Sequence, residues 1–322
     1  MNASELKILN TAHVAGPSGC FMEINMEIIE FNGWKNNVRL ANMEVELIVT
    51  KDVGPRIIRF AFIGGKNLFA EINGQQGGTG ENEWMIRGGH RFWIAPEEKP
   101  KTYELDNSPI EIEEIEGGIR TVQPQGTLSR VSKTMEIYLS QNSNEVRIVH
   151  ILKNMSDNPV ELAPWALSVM NTNGLEIIPL PKKIPHTERL THNQEWSLWG
   201  YTDFSDPRWT LGSRYIFLQH EPQCKGPTKL GIKHQEGWVG YLLDDNLFVK
   251  KFKCIEGAIY PDAGMTLETF SCDEFQEIES LGALVTLDPG ETTSHEENWS
   301  LYRNVPQCKS ESDVDANIIP LL

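Results

Sequence analysis

Short segments with alternating apolar and polar side chains, separated by turn formers, recur along most of this chain. Segments 43–47 and 110–113 alternate with a period of two. That period is typical of a strand whose two faces meet different surroundings. The chain has no long stretch with helical periodicity, and only single helical turns are expected, near 96–101 or 273–276. Further strands are predicted at 56–62, 131–139, 146–152, 214–219, 238–243, 247–252, 265–270, 283–287 and 294–302.

Turn-forming sequences such as Asp288-Pro289-Gly290 lie between the predicted strands, and no linker divides the chain. Many short strands with intervening turns are typical of a sandwich. We therefore predict an all-β fold, a large antiparallel β-sandwich, in one domain over residues 1–304. Segment 305–322 is polar until its end, and we expect it to be a loosely held tail.

Charge and cysteine usage exclude several classes of function. The 322 residues carry a net charge of −16, from 45 acidic and 29 basic side chains, which argues against nucleic-acid partners and strongly anionic substrates. No apolar run approaches the ~18 residues that cross a bilayer, and no signal peptide is recognisable, so no membrane partner is expected. We expect a cytoplasmic protein, a monomer or a weak homodimer. Its thiols are expected to be free in a reducing compartment, because they are scattered and odd in number: Cys20, Cys224, Cys254, Cys272 and Cys308.

Segment 87–97 combines backbone freedom with reactive side chains. Two glycines, Gly88 and Gly89, allow close approach or positive φ. They are followed by an imidazole that can move a proton near neutral pH, a guanidinium that binds oxygens, and an indole with an apolar face: His90, Arg91 and Trp93. These groups suit the binding of a polyhydroxylated ring. The alternative is a tight turn whose imidazole and indole only pack.

Segment 195–209 is rich in aromatic residues and lacks strand alternation. Aromatic faces stack on the C–H faces of sugars, and charged groups bind neighbouring hydroxyls, so Asp206, Arg208 and Trp209 are candidate contacts. Lys250, on a neighbouring predicted strand, is a further candidate. The alternative is a long loop held in place by buried rings.

Five motifs occur in order along the chain: Asp52-Val53-Gly54-Pro55-Arg56-Ile57, Asn67-Leu68-Phe69, Gly88-Gly89-His90-Arg91, Thr266-Leu267-Glu268-Thr269 and Asp288-Pro289-Gly290-Glu291. In this order they resemble motifs of the galactose mutarotase-like superfamily, which includes the aldose 1-epimerases. The resemblance extends over about 44–302, is strongest to a functionally uncharacterised bacterial branch, and implies a supersandwich fold and a small-molecule carbohydrate partner. No cofactor or metal is expected, because the chain has no phosphate-binding or dinucleotide motif and its histidines are isolated.

Mutarotation requires a base for the anomeric hydroxyl and an acid for the ring oxygen. The resemblance implies Glu268 as the base, and we assign His90 as the acid. Alternation in 265–270 also allows Glu268 to be a solvent-facing strand residue. Glu277 is a weaker candidate for the base, because alternation predicts that Glu277 and Glu279 are solvated.

The sequence departs from the family at one important position. The aldose epimerases carry a second histidine on a central strand, but the matching stretch 162–170 contains none, and Ser168 or Trp165 lies in its place. With Ser168, the residues Arg56, Arg91 and Trp93 complete the candidate sugar contacts.

Three hypotheses follow from these residues. The first is an aldose 1-epimerase-like isomerase acting on a neutral sugar. The second is a non-catalytic carbohydrate-binding protein on the same fold, because a fold alone does not determine function. The third is an accessory domain of a glycoside hydrolase or lyase.

Overall fold

Two antiparallel sheets form the protein in the computed structural model, which describes residues 25–322. Cys20, one of the five thiols expected to be free, lies outside these residues. Sheet A contains β1 (Asn25–Phe31), β2 (Trp34–Ala41), β3 (Val45–Val49), β4 (Ile57–Phe62), β5 (Gly89–Ala95), β10 (Val160–Met170), β12 (Trp196–Leu198), β15 (Thr228–Ile232), β18 (Leu267–Ser271), β19 (Gln276–Leu281) and β20 (Val285–Leu287). Sheet B contains β6 (Glu111–Ile115), β7 (Gly118–Gln123), β8 (Val131–Leu139), β9 (Glu145–Asn154), β11 (Leu175–Pro179), β13 (Trp209–Leu211), β14 (Tyr215–Gln219), β16 (Trp238–Leu243), β17 (Asn246–Phe252) and β21 (Thr292–Tyr302).

The order of strands places distant segments side by side. Sheet A runs β1–β2–β3–β4–β5–β10–β19–β18–β15–β12, with β20 paired to β10. Sheet B runs β13–β14–β11–β16–β17–β21–β9–β8–β7–β6. The centre of sheet A therefore joins three chain regions, because β5, β10 and β19 are neighbours there. The all-β sandwich prediction is confirmed.

The main core lies between the sheets. Trp299 of sheet B contacts Phe60 and Phe69 with ring centroids 5.9 and 5.6 Å apart, and Phe248 at 5.4 Å. These rings are at most 2% exposed. Aromatic side chains bury a large apolar area each, so this cluster joins the two sheets. In the described residues, no helix is long and apolar enough to cross a membrane.

Most predicted strands are present with small shifts of their ends, and 131–139 and 238–243 match β8 and β16. The expected helical turns near 96–101 and 273–276 are wrong, since both segments form turns or extended chain. The C-terminal helix is Glu311–Asn317, and Ser310 caps it by accepting from the Asp313 amide. A single 3₁₀ turn, Ile319–Leu321, follows it.

Segment 305–322 is not loosely held, which corrects our expectation. Val305, Cys308, Val314 and Ile318 are at most 6% exposed and pack with Tyr215 against sheet B. The overall polar composition hides these four side chains, which pack on one surface, whereas Ile319, Leu321 and Leu322 at the end of the segment are exposed. Burial of such side chains gives about 1.5–3 kcal/mol each, which is enough to order a short segment.

A buried polar network, the inter-sheet cluster, lies beside the apolar core. It contains His90 and Ser168 from sheet A and His150 from sheet B. His150 Nδ1 is 3.2 Å from the backbone oxygen of His295, which only accepts, so Nδ1 carries the proton. His150 Nε2 then accepts from His90 Nε2 at 2.8 Å, and His90 Nδ1 accepts from the Ser168 hydroxyl at 2.9 Å. All hydrogen bonds of this chain are satisfied with both imidazoles neutral.

An ion pair completes the inter-sheet cluster. Lys250 Nζ is 2.8 Å from Glu297 Oε1, and Trp299 Nε1 donates to Glu297 Oε2 at 2.8 Å. Ser280 donates to Glu297 at 2.5 Å and lies 2.6 Å from His295 Nε2. Burial would raise the pKa of Glu297, but the Lys250 ammonium holds it well below its usual range. Both oxygens of the Glu297 carboxylate therefore accept hydrogen bonds from buried protein donors.

The two glycines before His90 are required by their surroundings. Gly88 has φ +97°, and a Cβ there would lie 1.9 Å from the Ala70 oxygen. Gly89 has φ +72°, and its Cβ would lie 2.6 Å from the Ile57 oxygen. Backbone passes on both sides of this segment, so only glycine fits, and the expectation of close approach and positive φ is confirmed.

We predict that Gly88→Ala destabilises the protein by about 3 kcal/mol or more, because the new methyl group collides with backbone. Gly80→Ala is the matched control, since Gly80 also has positive φ (+72°) but a Cβ there contacts nothing within 4 Å. The control should lose only about 1–2 kcal/mol. Urea denaturation measures both values, and equal losses would contradict the steric argument.

We predict that acidification below pH 6.5 destabilises the fold through the inter-sheet cluster. Burial lowers the pKa of His150 to about 4 and of His295 to about 3, and it lowers the pKa of His90 well below the ordinary histidine value of about 6.5. The unfolded chain therefore binds protons that the folded chain does not. The contribution of these imidazoles to the free energy of unfolding is fully present above pH 6.5. Below that pH it decreases by about 1.4 kcal/mol per pH unit for each imidazole.

Urea denaturation of the wild type and His150→Gln between pH 6.5 and 5 tests this. The variant lacks one of the three imidazoles, so its stability should fall with a smaller slope. Wild-type stability that stays constant over this interval would contradict the prediction.

Candidate active site

A cleft with a cavity volume of about 220 Å³ lies on the outer face of sheet A, opposite the core. The strands supply both aromatic and charged side chains, and four loops close the sides. The lining residues are Arg91 and Trp93 from β5, Trp165 and Leu167 from β10, Lys229 from β15, Phe270 from β18, Glu277 and Glu279 from β19, and Trp84, Ile86, Glu97, Tyr103, Tyr201 and Phe275 from the loops.

The register of sheet A explains why these side chains meet. Arg91 is paired with Leu167, Leu167 with Glu279, and Glu279 with Glu268, so four strands contribute to one cross-strand row. The next row on the same face joins Glu277 to Phe270 and Phe270 to Lys229. Partners in antiparallel strands point to the same side of the sheet.

Arg91 and Glu277 form the first ion pair of the cleft. Arg91 NH1 donates to Glu277 Oε1 at 2.6 Å, and the two side chains are only 3% and 9% exposed. The guanidinium also lies over Trp93, 4.2 Å from the ring centroid, and over Trp84 at 5.3 Å. Stacking and ion pairing together hold the arginine, and the pairing requires the carboxylate form of Glu277.

Lys229 forms the second charged group together with two carboxyl groups. Its Nζ is 2.6 Å from Glu268 Oε2 and 3.1 Å from Glu279 Oε2. Trp165 Nε1 donates to the same Glu279 oxygen at 3.0 Å. Burial raises the pKa of Glu268 and of Glu279, and Lys229 opposes both shifts. The charge of Glu279 adds to the shift of Glu268, and the charge of Glu277 adds to that of Glu279. The pKa of Lys229 is raised, because the two carboxyl groups outweigh its burial.

The structure places His90 and Glu268 on opposite faces of sheet A and does not bring them together. His90 pairs with Ser168 and Ser168 with Ile278, in the row next to that of Glu268. Successive strand residues alternate between faces, so His90 and Ser168 point into the inter-sheet cluster. Lys250 lies in the same cluster. None of the three lines the cleft, where they were predicted to act.

The solvated positions expected for Glu277 and Glu279 are wrong. Glu277 is 7% exposed and Glu279 is 1% exposed. Alternation correctly placed both on one face of a strand, but the outer face of sheet A is covered by loops. Glu268 is fully buried as well, behind Lys229, and is not a solvent-facing residue.

The other predicted contacts occupy supporting positions. Arg56 is buried, forms an ion pair with Asp106 at 2.8 Å and donates to the Met85 oxygen, next to the loop that carries Trp84. Arg208 binds Asp206 at 2.6 Å. These pairs hold loops in place.

Trp209 is also outside the cleft lining. It is 7% exposed on β13 of sheet B, and its Nε1 donates to Thr228 Oγ1 at 2.8 Å. Tyr201 is the residue of the aromatic segment that lines the cleft, as Arg91 and Trp93 do from segment 87–97.

Sequence reasoning missed Lys229, Trp84 and Tyr103. Lys229 belongs to no motif, and only the pairing of β15 with β18 brings it to Glu268. Trp84 and Tyr103 lie in loops on either side of β5, and their rings are 5.6 Å apart. Nothing in their local sequence distinguishes them from core tryptophans and tyrosines.

The inter-sheet cluster also contains a grouping with metal-ligand chemistry. Ligand atoms of His90, His150 and Glu297 lie within 4.8 Å of one another. Each already has a protein partner, and the Lys250 ammonium lies against the carboxylate, where it would repel a cation. The residues therefore fit a closed hydrogen-bond network better than a metal centre.

No protein-family model matches the sequence, and no curated protein sequence matches it. Solved structures do resemble its fold. A galactose mutarotase-like protein from Lactobacillus casei ATCC 334 is 10% identical, with a TM-score of 0.56 over 83% of this chain and 100% of that one. One from Clostridium acetobutylicum is 12% identical, with a TM-score of 0.51 over 88% and 100%.

The Slr1438 protein from Synechocystis sp. PCC 6803 is 11% identical, with a TM-score of 0.53 over 86% of this chain and 100% of that one. At such low identity the likeness concerns the fold alone. The antiparallel supersandwich implied by the motifs is thereby confirmed, and this chain has the galactose mutarotase-like fold.

Proposed function

We propose that the cleft binds an uncharged sugar and interconverts its anomers by acid/base catalysis. The observation that supports this most is a pair of carboxyl groups, Glu277 and Glu279, two residues apart on one face of β19 and in different electrostatic environments. Pairs of titratable groups whose surroundings favour opposite protonation states are typical of acid/base sites.

Glu277 is the base and Glu279 is the acid. Arg91 occupies Oε1 of Glu277, so Oε2 remains free to accept the proton of the anomeric hydroxyl. Lys229 and Trp165 both donate to Oε2 of Glu279, so a proton on Oε1 faces the cleft and is available to the ring oxygen. Glu277 replaces Glu268 as the proposed base, because Glu268 is buried behind Lys229.

Proton transfer leads to ring opening in one balanced step. The anomeric O–H bond breaks and its proton passes to Glu277, while Glu279 protonates the ring oxygen and the bond from C1 to that oxygen breaks. The aldehyde then rotates about C1–C2, and the ring closes with the two proton transfers reversed. The proposed base and acid lie about 6.6 Å apart at their Cα atoms, since a strand rises about 3.3 Å per residue.

The aromatic walls support a sugar as the ligand. Trp84, Trp93 and Tyr103 contact one another with ring centroids 4.8 to 5.6 Å apart. The Trp84 indole N–H is buried and has no hydrogen-bond partner among the described residues, so we propose that it donates to a hydroxyl group of the sugar. Both cations of the cleft, Arg91 and Lys229, already face carboxylates, which disfavours a phosphorylated sugar.

A carbohydrate-binding protein without catalysis is the alternative. It is favoured by the absence of an imidazole from the lining of the cleft in the described residues. A carboxyl pair then only orients hydroxyl groups. Anomer exchange separates the two functions, because a binding protein leaves the exchange rate of a bound sugar unchanged.

We predict that Glu277→Gln and Glu279→Gln each lower the rate of anomer exchange by about 10²–10⁴-fold, the usual contribution of one positioned acid or base. Both variants keep the shape of the side chain, so the sugar should still bind. Saturation-transfer NMR at pH 7 over a panel of reducing sugars measures the exchange.

Glu98→Gln serves as the control, since Glu98 is exposed and pairs with Lys101 at the surface. It should exchange anomers at the wild-type rate. If wild type accelerates no sugar that binds, catalysis is wrong and the binding protein remains. If both variants match wild type, the assignment of base and acid is wrong.

We predict that Trp84→Phe weakens sugar binding about fivefold, or about 1 kcal/mol, because it removes the free indole N–H. Trp209→Phe is the matched control and should leave the affinity unchanged, because Trp209 is outside the cleft lining and its N–H is bound to Thr228. Calorimetry measures both affinities. If Trp209→Phe lost more sugar affinity than Trp84→Phe, the sugar would bind near β13 and not in the cleft.

A further inference from the structure

The cleft ends in an apolar wall beside Glu277. Three side chains form this wall, which we call the apolar end: Ile86 from the loop before β5, Phe270 from β18 and Phe275 from the connection between β18 and β19. The rings of Phe270 and Phe275 are 5.8 Å apart. They pack with buried apolar side chains, namely Ala70, Ile72 and Val169. Close-packed side chains have little freedom to move, so the apolar end keeps its shape without a ligand.

The charged groups next to the apolar end are already engaged. Phe270 is the cross-strand partner of both Glu277 and Lys229. Glu277 pairs with Arg91, and the Lys229 ammonium faces two carboxyl groups in the next row. The side chains of the apolar end have neither donor nor acceptor. A hydroxyl group against them would lose hydrogen bonds to water and find no side-chain partner in this wall, so this end favours an apolar substituent.

The opposite end of the cleft offers polar partners. Along β10, Val169 lies at the apolar end, and Trp165 lies four residues away beside its cross-strand partner Trp93. Tyr103 contacts Trp93 with ring centroids 5.0 Å apart, and it donates to the Glu97 carboxylate. Hydroxyl groups of a ligand therefore find partners at this polar end. The two ends distinguish the two sides of a sugar ring.

The orientation of the sugar rests on the proposed function. Glu279 protonates the ring oxygen, and Glu277 takes the proton of the anomeric hydroxyl on C1. Phe275 lies two residues beyond Glu277, on the side away from Glu279. C2 is bonded to C1, whereas C5 and C6 follow the ring oxygen. The substituent on C2 therefore points to the apolar end, and C6 points to the polar end.

The distance to Phe275 sets the length of this substituent. Phe275 lies about 6.6 Å beyond Glu277 along an extended chain. A hydroxyl group extends one bond from C2 and stays beside Glu277, whereas an acetamido group extends three bonds and ends in a methyl group. Its amide oxygen needs a donor. Arg91 provides one, since it is only 2% exposed and its Nε has no hydrogen-bond partner among residues 25–322.

We propose that the cleft takes an N-acetylhexosamine, a 2-acetamido-2-deoxy sugar. Its methyl group lies against the apolar end, and its amide oxygen accepts from the Arg91 guanidinium. This sugar is uncharged, which agrees with cations that already face carboxyl groups. Ile86, Phe270 and Phe275 are then specificity-determining residues, because they accept the methyl group and disfavour a hydroxyl group.

Calorimetry of wild type with matched sugars tests the proposal. N-acetyl-D-glucosamine should bind about tenfold more tightly than D-glucose, and N-acetyl-D-galactosamine should exceed D-galactose by a similar factor. N-formyl-D-glucosamine keeps the amide and lacks the methyl group. It should bind about fourfold more weakly than N-acetyl-D-glucosamine, which is the contribution of one buried methyl group.

Three results would overturn the proposal. The first is that the parent hexoses bind as tightly as their N-acetyl derivatives. The second is equal affinity for the N-formyl and N-acetyl sugars, because the methyl group would then contact nothing. The third concerns D-glucosamine, which has a cationic amine and no acyl group. If it bound more tightly than N-acetyl-D-glucosamine, the carboxyl groups and not the apolar end would select the ligand.

The variant Ile86→Asn places an amide against the methyl group. It should reduce the ratio of the affinities for N-acetyl-D-glucosamine and D-glucose by about fivefold. Ile184→Asn is the matched control and should leave this ratio unchanged, because Ile184 is 42% exposed and does not line the cleft. If Ile86→Asn does not fold, Phe270→Leu should also lower the ratio, since it shortens the apolar end. An unchanged ratio in the folded variant would contradict the proposal.

Anomer exchange separates this proposal from the proposed function. If N-acetylhexosamines are preferred but no bound sugar exchanges faster, the ligand class stands and catalysis fails. If parent hexoses are preferred and their anomers are exchanged, catalysis stands and the ligand class fails. If none of these sugars binds, both fail.

Discussion

The central strands of sheet A are buried on both faces, and the rest of the structure depends on this. In β5, β10 and β19 nearly every residue is inaccessible, so alternate side chains must satisfy two separate interiors. One set points towards sheet B and the other towards the cleft. A shift of one residue in any of these strands would exchange the two sets and leave charged groups in the apolar core.

Both interiors contain buried charges, and the free-energy cost of burying them is offset differently in each. In the inter-sheet cluster, Lys250 pairs with the carboxylate of Glu297. A serine and a tryptophan donate further hydrogen bonds to the same carboxylate. Neutral imidazoles complete the cluster. The cleft instead gives Lys229 two carboxyl partners. Balanced charge suits a structural role, whereas an excess of carboxyl groups over ammonium groups favours retention of a proton beside the cleft.

This contrast explains why His90 and Glu279 differ in their pKa shifts and in their access to the cleft. His90 has the chemistry of an acid near neutral pH, yet burial between the sheets keeps it neutral and out of reach of any ligand. Glu279 would be a weak acid in water, yet its surroundings raise its pKa at the edge of a cavity. Side-chain type alone therefore does not predict which of these groups holds a proton. The surroundings of each group do.

Much of the fold could be predicted from the sequence, because strand periodicity and turn residues are local signals. Neighbouring residues alone predict strands β8 and β16 and the positive φ at Gly88. The order of the motifs is read directly from the chain. The cleft could be predicted only in part. Arg91 and Trp93 are predictable because they follow the two glycines, and Glu277 is predictable only as a weaker candidate base.

The tertiary structure decided which face each side chain takes and which strands become neighbours. Strand alternation predicts that His90 and Arg91 lie on opposite faces of β5, but it does not predict which face packs on the core and which lines the cleft. Lys229 is far from Glu268 and Glu279 along the chain, and they meet only through pairing of β15, β18 and β19. The sequence by itself determined an all-β sandwich with its turns, whereas register and packing against sheet B determined the site, because these depend on contacts between residues distant in sequence.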